Sequence, residues 1–266
     1  MWWLVVAAGI FFFRGRIAGY VSRFLPQSTP QQTAFMGHLT MLLSAVAYVV
    51  LWPVGVGRPA YMISMWSTVI TSILTIKANY GAPPMPQSLS IAEIKNIAAT
   101  TLQPWLQGAM TGADFPFLFF ALIFATAYPS IPALAILGRR SLWSVCTYCG
   151  KNTPESRLWK AFQPIWDSRL KPKEKEILAY SAMAEILLAL WLTASLFLPS
   201  RQLMATLMYW NYLKTRFQVP RSHPLHAQAW AQLGQHVQPV LKAVPILNKP
   251  LDMAKGWFQP KYAQQQ

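Results

Sequence analysis

Apolar positions along this chain gather into long runs punctuated by proline-rich turns. The first run, Phe35 to Val56, is separated from the second, Ala60 to Ile76, by only Gly57, Arg58 and Pro59. So short a link makes the two runs antiparallel neighbours. The next, Phe115 to Cys149, spans 35 residues, more than one straight membrane helix requires. It carries Tyr128, Pro129, Ser130, Ile131 and Pro132 near its middle. Proline lacks the backbone donor and disfavours helix in the residue before it, so the pattern predicts a break there and a second hairpin. Ile177 to Leu198, the turn Pro199 to Gln202, and Leu203 to Phe217 make a third. The predicted fold is all-α: a polytopic membrane protein of three short helical hairpins, five to six membrane helices in all, occupying residues 35–217. Residues 1–34 read as an apolar anchor and basic linker, and 218–266 as a Pro- and Gln-rich amphipathic tail.

Some of these helices are short for a bilayer. Phe115 to Tyr128 gives about 21 Å of helix against a hydrocarbon core of roughly 30 Å. A hairpin of that length either thins the membrane or stops part-way through it. Loading one leaflet more than the other makes it a wedge, a physical route to curvature.

Amphipathic stretches lie between and after the runs. Ser90 and Glu93 form a capping-box pattern ahead of Ile91, Ile94, Ala98, Leu102 and Trp105, which share one helical face. Thr153 and Pro154 read as a helix start, followed by a stripe of Leu158, Phe162, Ile165 and Trp166 beside Arg157, Lys160 and Arg169. In the tail Trp230, Leu233 and Val237 repeat at helical spacing until Pro239, and Leu251, Ala254, Trp257 and Phe258 form a further short piece. Tryptophan on an apolar face with scattered lysine suits the headgroup boundary. The alternative is packing on the protein's own hairpins.

Composition sharpens the class. The chain is 54% hydrophobic and 12% charged, about half the charged fraction of an ordinary soluble domain. Its 23 basic residues against 8 acids give a net charge of +15, and no acid precedes Glu93. Three hairpins put the three turns on one face of the membrane, and that face receives only Arg58 and Arg201. The remaining basic residues fall on the opposite face, with both termini, or within helices, as the positive-inside rule requires. Anionic headgroups and other membrane proteins are the expected partners. Nucleic acid is not, because the basic residues are interleaved with apolar runs and match no recognition module. The start, MWWLVVAAGIFFFRGR, lacks a charged segment ahead of its apolar run and a small-residue cleavage site, so it reads as an interfacial anchor; its acid-poor continuation leaves an organelle address open.

Glu185 is the one carboxylate inside an apolar run. An ionised group at that depth costs roughly 2.5–3.5 kcal/mol on insertion scales, so it needs a partner or a job. Counted from the basic face, Arg139 and Arg140 lie within about 3 Å of the same depth, which predicts an ion pair between the second and third hairpins. A proton or solute pathway through Glu185 is the functional alternative. Cys146, Cys149, His223 and His226 form two ligand pairs, CTYC and HPLH, near one face, a remote zinc set set against the ordinary burial of free cysteine. His38 and His236 read as packed or interfacial residues. The run Arg169, Lys171, Lys173 and Lys175 marks topology and faces lipid headgroups. No nucleophile elbow, zinc-protease pair or phosphate loop is present, and Glu174 with Glu176 is a solvated charge cluster, so neither an enzyme nor a cofactor or small-molecule site is expected.

Three blocks carry a family resemblance: FLFFALIFATAYP (Phe117 to Pro129), LKPKEKEILAYSAMAEILLALW (Leu170 to Trp191) and LMYWNYLKTRF (Leu207 to Phe217). In that order and spacing they resemble the transmembrane protein 33 family of endoplasmic-reticulum and nuclear-envelope proteins, over about Phe35 to His236. The resemblance implies a non-enzymatic protein that shapes tubular membrane, associates with reticulon-type proteins or nuclear pores, and lays its tail on the membrane. It also implies that an acidic residue at the Glu185 position, in a Glu-Ile pair, belongs to the shared scaffold. The arginine pair has no counterpart in it, which leaves a backbone or hydroxyl partner, such as Tyr128 or Tyr209, as a rival. The tryptophan-rich start and the Gln-rich end depart from the family. An accessory subunit of a large mitochondrial inner-membrane or plastid complex is the alternative reading.

Overall fold

The computed structural model describes residues 29–82, 100, 102–112, 114–198, 201–219 and 222–243. The anchor at 1–13, the Ser90–Glu93 capping box and the 250–258 piece with Trp257 lie outside them. Nine α-helices are formed among the described residues: α1 Pro30–Leu51, α2 Arg58–Tyr80, α3 Gln103–Thr111, α4 Asp114–Thr126, α5 Ile131–Asn152, α6 Arg157–Ile165, α7 Glu174–Ser195, α8 Leu203–Gln218 and α9 His223–Ala243. Three of them, α1, α2 and α7, are long and apolar enough to cross a membrane. The α3–α4 pair, joined at a sharp bend, makes a fourth if it acts as one span.

Local chemistry sets the ends of the first pair. The Thr29 hydroxyl accepts from Gln32 N at 3.3 Å and Gln32 Oε1 accepts from Thr29 N at 3.1 Å. This capping box, with Pro30 behind it, starts α1 ahead of its apolar run. A 3₁₀ turn, Trp52–Val54, ends at Gly55, whose φ of 78° is the left-handed conformation that favours glycine. Within the pair the backbones approach closely at Gly37, where a Cβ would stand 1.9 Å from Thr71 Oγ1 and where Ser67 Oγ donates to Gly37 O at 2.6 Å.

The second hairpin is splayed. Rather than packing chiefly on each other, α4 packs on α2 and α8, and α5 packs on α1 and α7. Six helices therefore close a ring in the order α1, α2, α4, α8, α7, α5. Its core holds Tyr61, Met41 and Met65 on one side and Phe120, Phe124, Tyr209 and Tyr212 on the other. Four aromatic rings form the α4–α8 seam: Phe120 stands edge-on to Tyr209 and Tyr212 at 5.7 and 5.2 Å, and Phe124 to Tyr209 at 5.6 Å. The outer surface is apolar too, with Leu43, Val46 and Val50 on α1, Leu187 and Trp191 on α7, and Leu203 and Leu207 on α8 exposed.

Two amphipathic elements differ from expectation. Thr153 and Pro154 form a turn, and Ser156 takes the N-cap position of α6. The face of α6 that packs on α5 carries Trp159 and Phe162, and Trp166, in the turn just after it, joins them around Cys146, while Leu158 is 85% exposed and Ile165 is exposed as well. The indoles displace the aliphatic residues because they bury more area against Trp143, whose ring meets Trp166 at 5.0 Å. In the tail, α9 continues through Pro239 to Ala243.

Candidate functional site

Glu185 sits at the middle of α7 with no exposed surface, and its partners all come from its C-terminal side of the chain. Oε2 accepts from Arg216 Nε at 3.2 Å, from Tyr212 Oη at 3.1 Å, and faces His226 Nε2 at 3.0 Å. Oε1 accepts from Arg216 Nη2 at 3.3 Å. Tyr209 Oη donates to the Glu185 backbone carbonyl at 3.0 Å. Tyr209, Tyr212 and Arg216 recur at i, i+3 and i+7, so one face of α8 supplies all three. His226 stands on the first turn of α9, where its Nδ1 faces Ser222 O at 3.0 Å. A carbonyl only accepts, so the imidazole is held between two acceptors, the Ser222 carbonyl and the Glu185 carboxyl. One buried carboxylate thereby fastens three helices.

The predicted pairing of Glu185 with Arg139 or Arg140 is not what forms. Arg140 Nη2 bonds Asp114 Oδ1 on α4, and its Nη1 donates to Ser72 Oγ on α2 at 3.2 Å. Arg139 Nε donates to Ser181 Oγ on α7 at 3.1 Å. The reason is register. Glu185 precedes Pro199 by 14 residues and Arg216 follows Gln202 by 14. An antiparallel pair therefore brings these two side by side, whereas on the neighbouring α5 Arg139 meets α7 one turn away, at Ser181, and Arg140 turns to α4 and α2. Two-sided counting from the turn would have found Arg216; Asp114 and His226 carry no such signal. The Phe117 ring lies between the two ion pairs, 4.3 Å from Arg140 Cζ and 5.2 Å from Arg216 Cζ, which gives each guanidinium a cation–π face as well.

Other predicted residues are placed differently. Tyr128 is 64% exposed in the α4–α5 turn, and its backbone N donates to Gln202 Oε1 at 3.2 Å, away from Glu185. Cys146 is buried beside the α6 tryptophans, His223 Nδ1 faces Phe217 O at 2.8 Å, and His226 is engaged with Glu185, so the proposed zinc set is not assembled. No cluster of three or more His, Cys, Asp or Glu able to hold a metal occurs among the described residues. Arg157, Lys160, Arg169, Lys171, Lys173 and Lys175 are exposed, with Lys160 paired to Glu155. Trp230 is half-buried and stacks on Trp210 with ring centroids 6.5 Å apart, packing against α8. His38 is buried with Nδ1 3.1 Å from Ser141 Oγ, and His236 is exposed.

A family model described as Transmembrane protein 33/Nucleoporin POM33 matches residues 19–247. No curated protein and no solved structure matches the chain.

Proposed function

The chain belongs to the Transmembrane protein 33/Nucleoporin POM33 family, and from that premise we propose that it is a non-enzymatic scaffold that shapes endoplasmic-reticulum or nuclear-envelope membrane. In this reading the ring inserts as three hairpins entering from the basic side, its exposed aliphatic belt meets lipid, and its exposed lysines and arginines bind anionic headgroups and partner membrane proteins. The observation that carries it is the unequal length of the ring's members. The helix α4 has 13 residues and α8 has 16, about 20 and 24 Å, beside four helices of 22 or 23 residues. Cross-linked rigidly to longer neighbours, the short arms load the two leaflets unequally. The engagement of both Glu185 oxygens by Arg216, Tyr212 and His226 favours a structural role over proton or solute transport through that residue.

Full-length protein reconstituted into giant vesicles should enrich on membrane tethers pulled from them relative to the flat membrane. Equal density on both overturns the shaping role. The tagged chain should mark tubules and the nuclear rim in cells; co-migration with a respiratory or photosynthetic assembly on native gels would transfer it to the accessory-subunit class.

A further inference from the structure

Five charged side chains meet between the helices of the ring: Asp114, Arg139, Arg140, Glu185 and Arg216. Both carboxylates are committed, Asp114 to Arg140 and Glu185 to Arg216. Arg139 lies within the fields of Glu185 and Arg216 but forms no ion pair among the described residues. Its one hydrogen bond there is Nε to Ser181 Oγ, so the four N–H bonds of its two Nη groups are left for something else. The side chain is half-buried in the cleft where α5 packs on α7. It stands about 12 Å along α5 from Ile131, well inside the helix. Neither committed carboxylate bonds Arg139, and Glu174, exposed at the start of α7, adds a third carboxylate field but no contact, so the Nη groups carry charge at a depth where that is costly unless an anion reaches them.

We propose that the α5–α7 cleft at Arg139 binds the phosphodiester of one anionic phospholipid, drawn below the headgroup plane. A guanidinium presents two parallel N–H donors that match two phosphate oxygens, a geometry an ammonium lacks. The proposal rests on α5 and α7 lying in the bilayer, so carbonate extraction of every variant is scored alongside it.

Native mass spectrometry of the full chain in detergent, titrated with phosphatidylinositol, phosphatidylcholine or inorganic phosphate, tests it. The wild type should retain one phosphatidylinositol at least tenfold more tightly than phosphatidylcholine, and millimolar inorganic phosphate should not displace it. Arg139→Gln should lose that preference, and Arg139→Lys should keep a weaker one. Equal retention by the wild type and Arg139→Gln overturns the site even if both extract as integral proteins. Displacement by phosphate assigns it to a free anion instead. Loss of a co-purifying membrane protein in Arg139→Gln with unchanged lipid assigns Arg139 to a partner's carboxylate, and also overturns the proposal.

Discussion

Removing either charge of the Glu185–Arg216 pair strands the other, because the pair is sealed: Glu185 has no exposed surface and Arg216 is 14% exposed. Breaking such a pair costs about 3–5 kcal/mol, while replacing both ends with apolar groups of similar volume is often neutral. Glu185→Gln and Arg216→Met should therefore each lower the thermal midpoint in detergent strongly, and the combined Glu185→Leu/Arg216→Met chain should recover part of the loss, the rest being the cost of leaving Tyr212 Oη and His226 Nε2 without their acceptor. Additive losses would mean that the two residues are not coupled. Tyr212→Phe removes one hydrogen bond to a charged acceptor and should cost about 1.5–3 kcal/mol, measured the same way. The sequence points to Glu185 because a lone carboxylate in an apolar run is conspicuous. It does not point to His226, which lies in a polar stretch after the last hairpin and becomes buried only once α9 folds back across α7.

Between elements, the tightest approach is α1 against α2, and it depends on the missing side chain at Gly37. A Cβ there would overlap Thr71 Oγ1, 1.9 Å away, and would stand 3.1 Å from Thr71 Cβ, which α2 carries. Gly37→Val should destabilise the chain by about 1–3 kcal/mol through overpacking, and Thr71→Ala, by opening the facing space, should restore part of it. Thermal midpoints of the two single variants and the double variant measure this directly. The hairpin breaks at Gly57–Pro59 and Tyr128–Pro132 are legible because proline and glycine act through the local backbone. What escapes the sequence is which arm packs on which. Both arms of the second hairpin are apolar on several sides, with Phe117, Phe120 and Phe124 on α4 and Ala133 and Leu137 on α5 all buried. Periodicity alone does not say that they face other hairpins rather than each other. The stripe of Leu158, Phe162, Ile165 and Trp166 holds in part for a related reason: with Trp159 it covers a wide apolar arc, and only the meeting of Trp143 with Trp166 decides that Phe162 and Trp166 face inward and Leu158 and Ile165 do not.

At the scale of the whole molecule, connectivity and the ring constrain each other. If the chain runs up in α1 it runs down in α2, up in α4, down in α5, up in α7 and down in α8. Around the ring α1, α2, α4, α8, α7, α5 every neighbour is then antiparallel, so helix dipoles alternate at every contact. Three hairpins give that alternation; a single span through 115–149 would leave α7 and α8 reversed, and two of the ring's contacts parallel. The turns agree with it. Tyr128 N reaches Gln202 in the α7–α8 turn, and Tyr61, just past the α1–α2 turn, lies beside the Ser130 backbone, so all three turns gather at one end. At the other end Phe35 of α1 stacks on Tyr148 of α5, 4.4 Å between ring centroids, next to Lys151. Single cysteines at Arg58, Ser130 and Arg201, in a background with Cys146 and Cys149 replaced by serine, should react together with a membrane-impermeant thiol reagent from one side. A cysteine at Lys151 should react only from the other. Labelling of Ser130 and Lys151 from the same side would break the alternation and, with it, the ring.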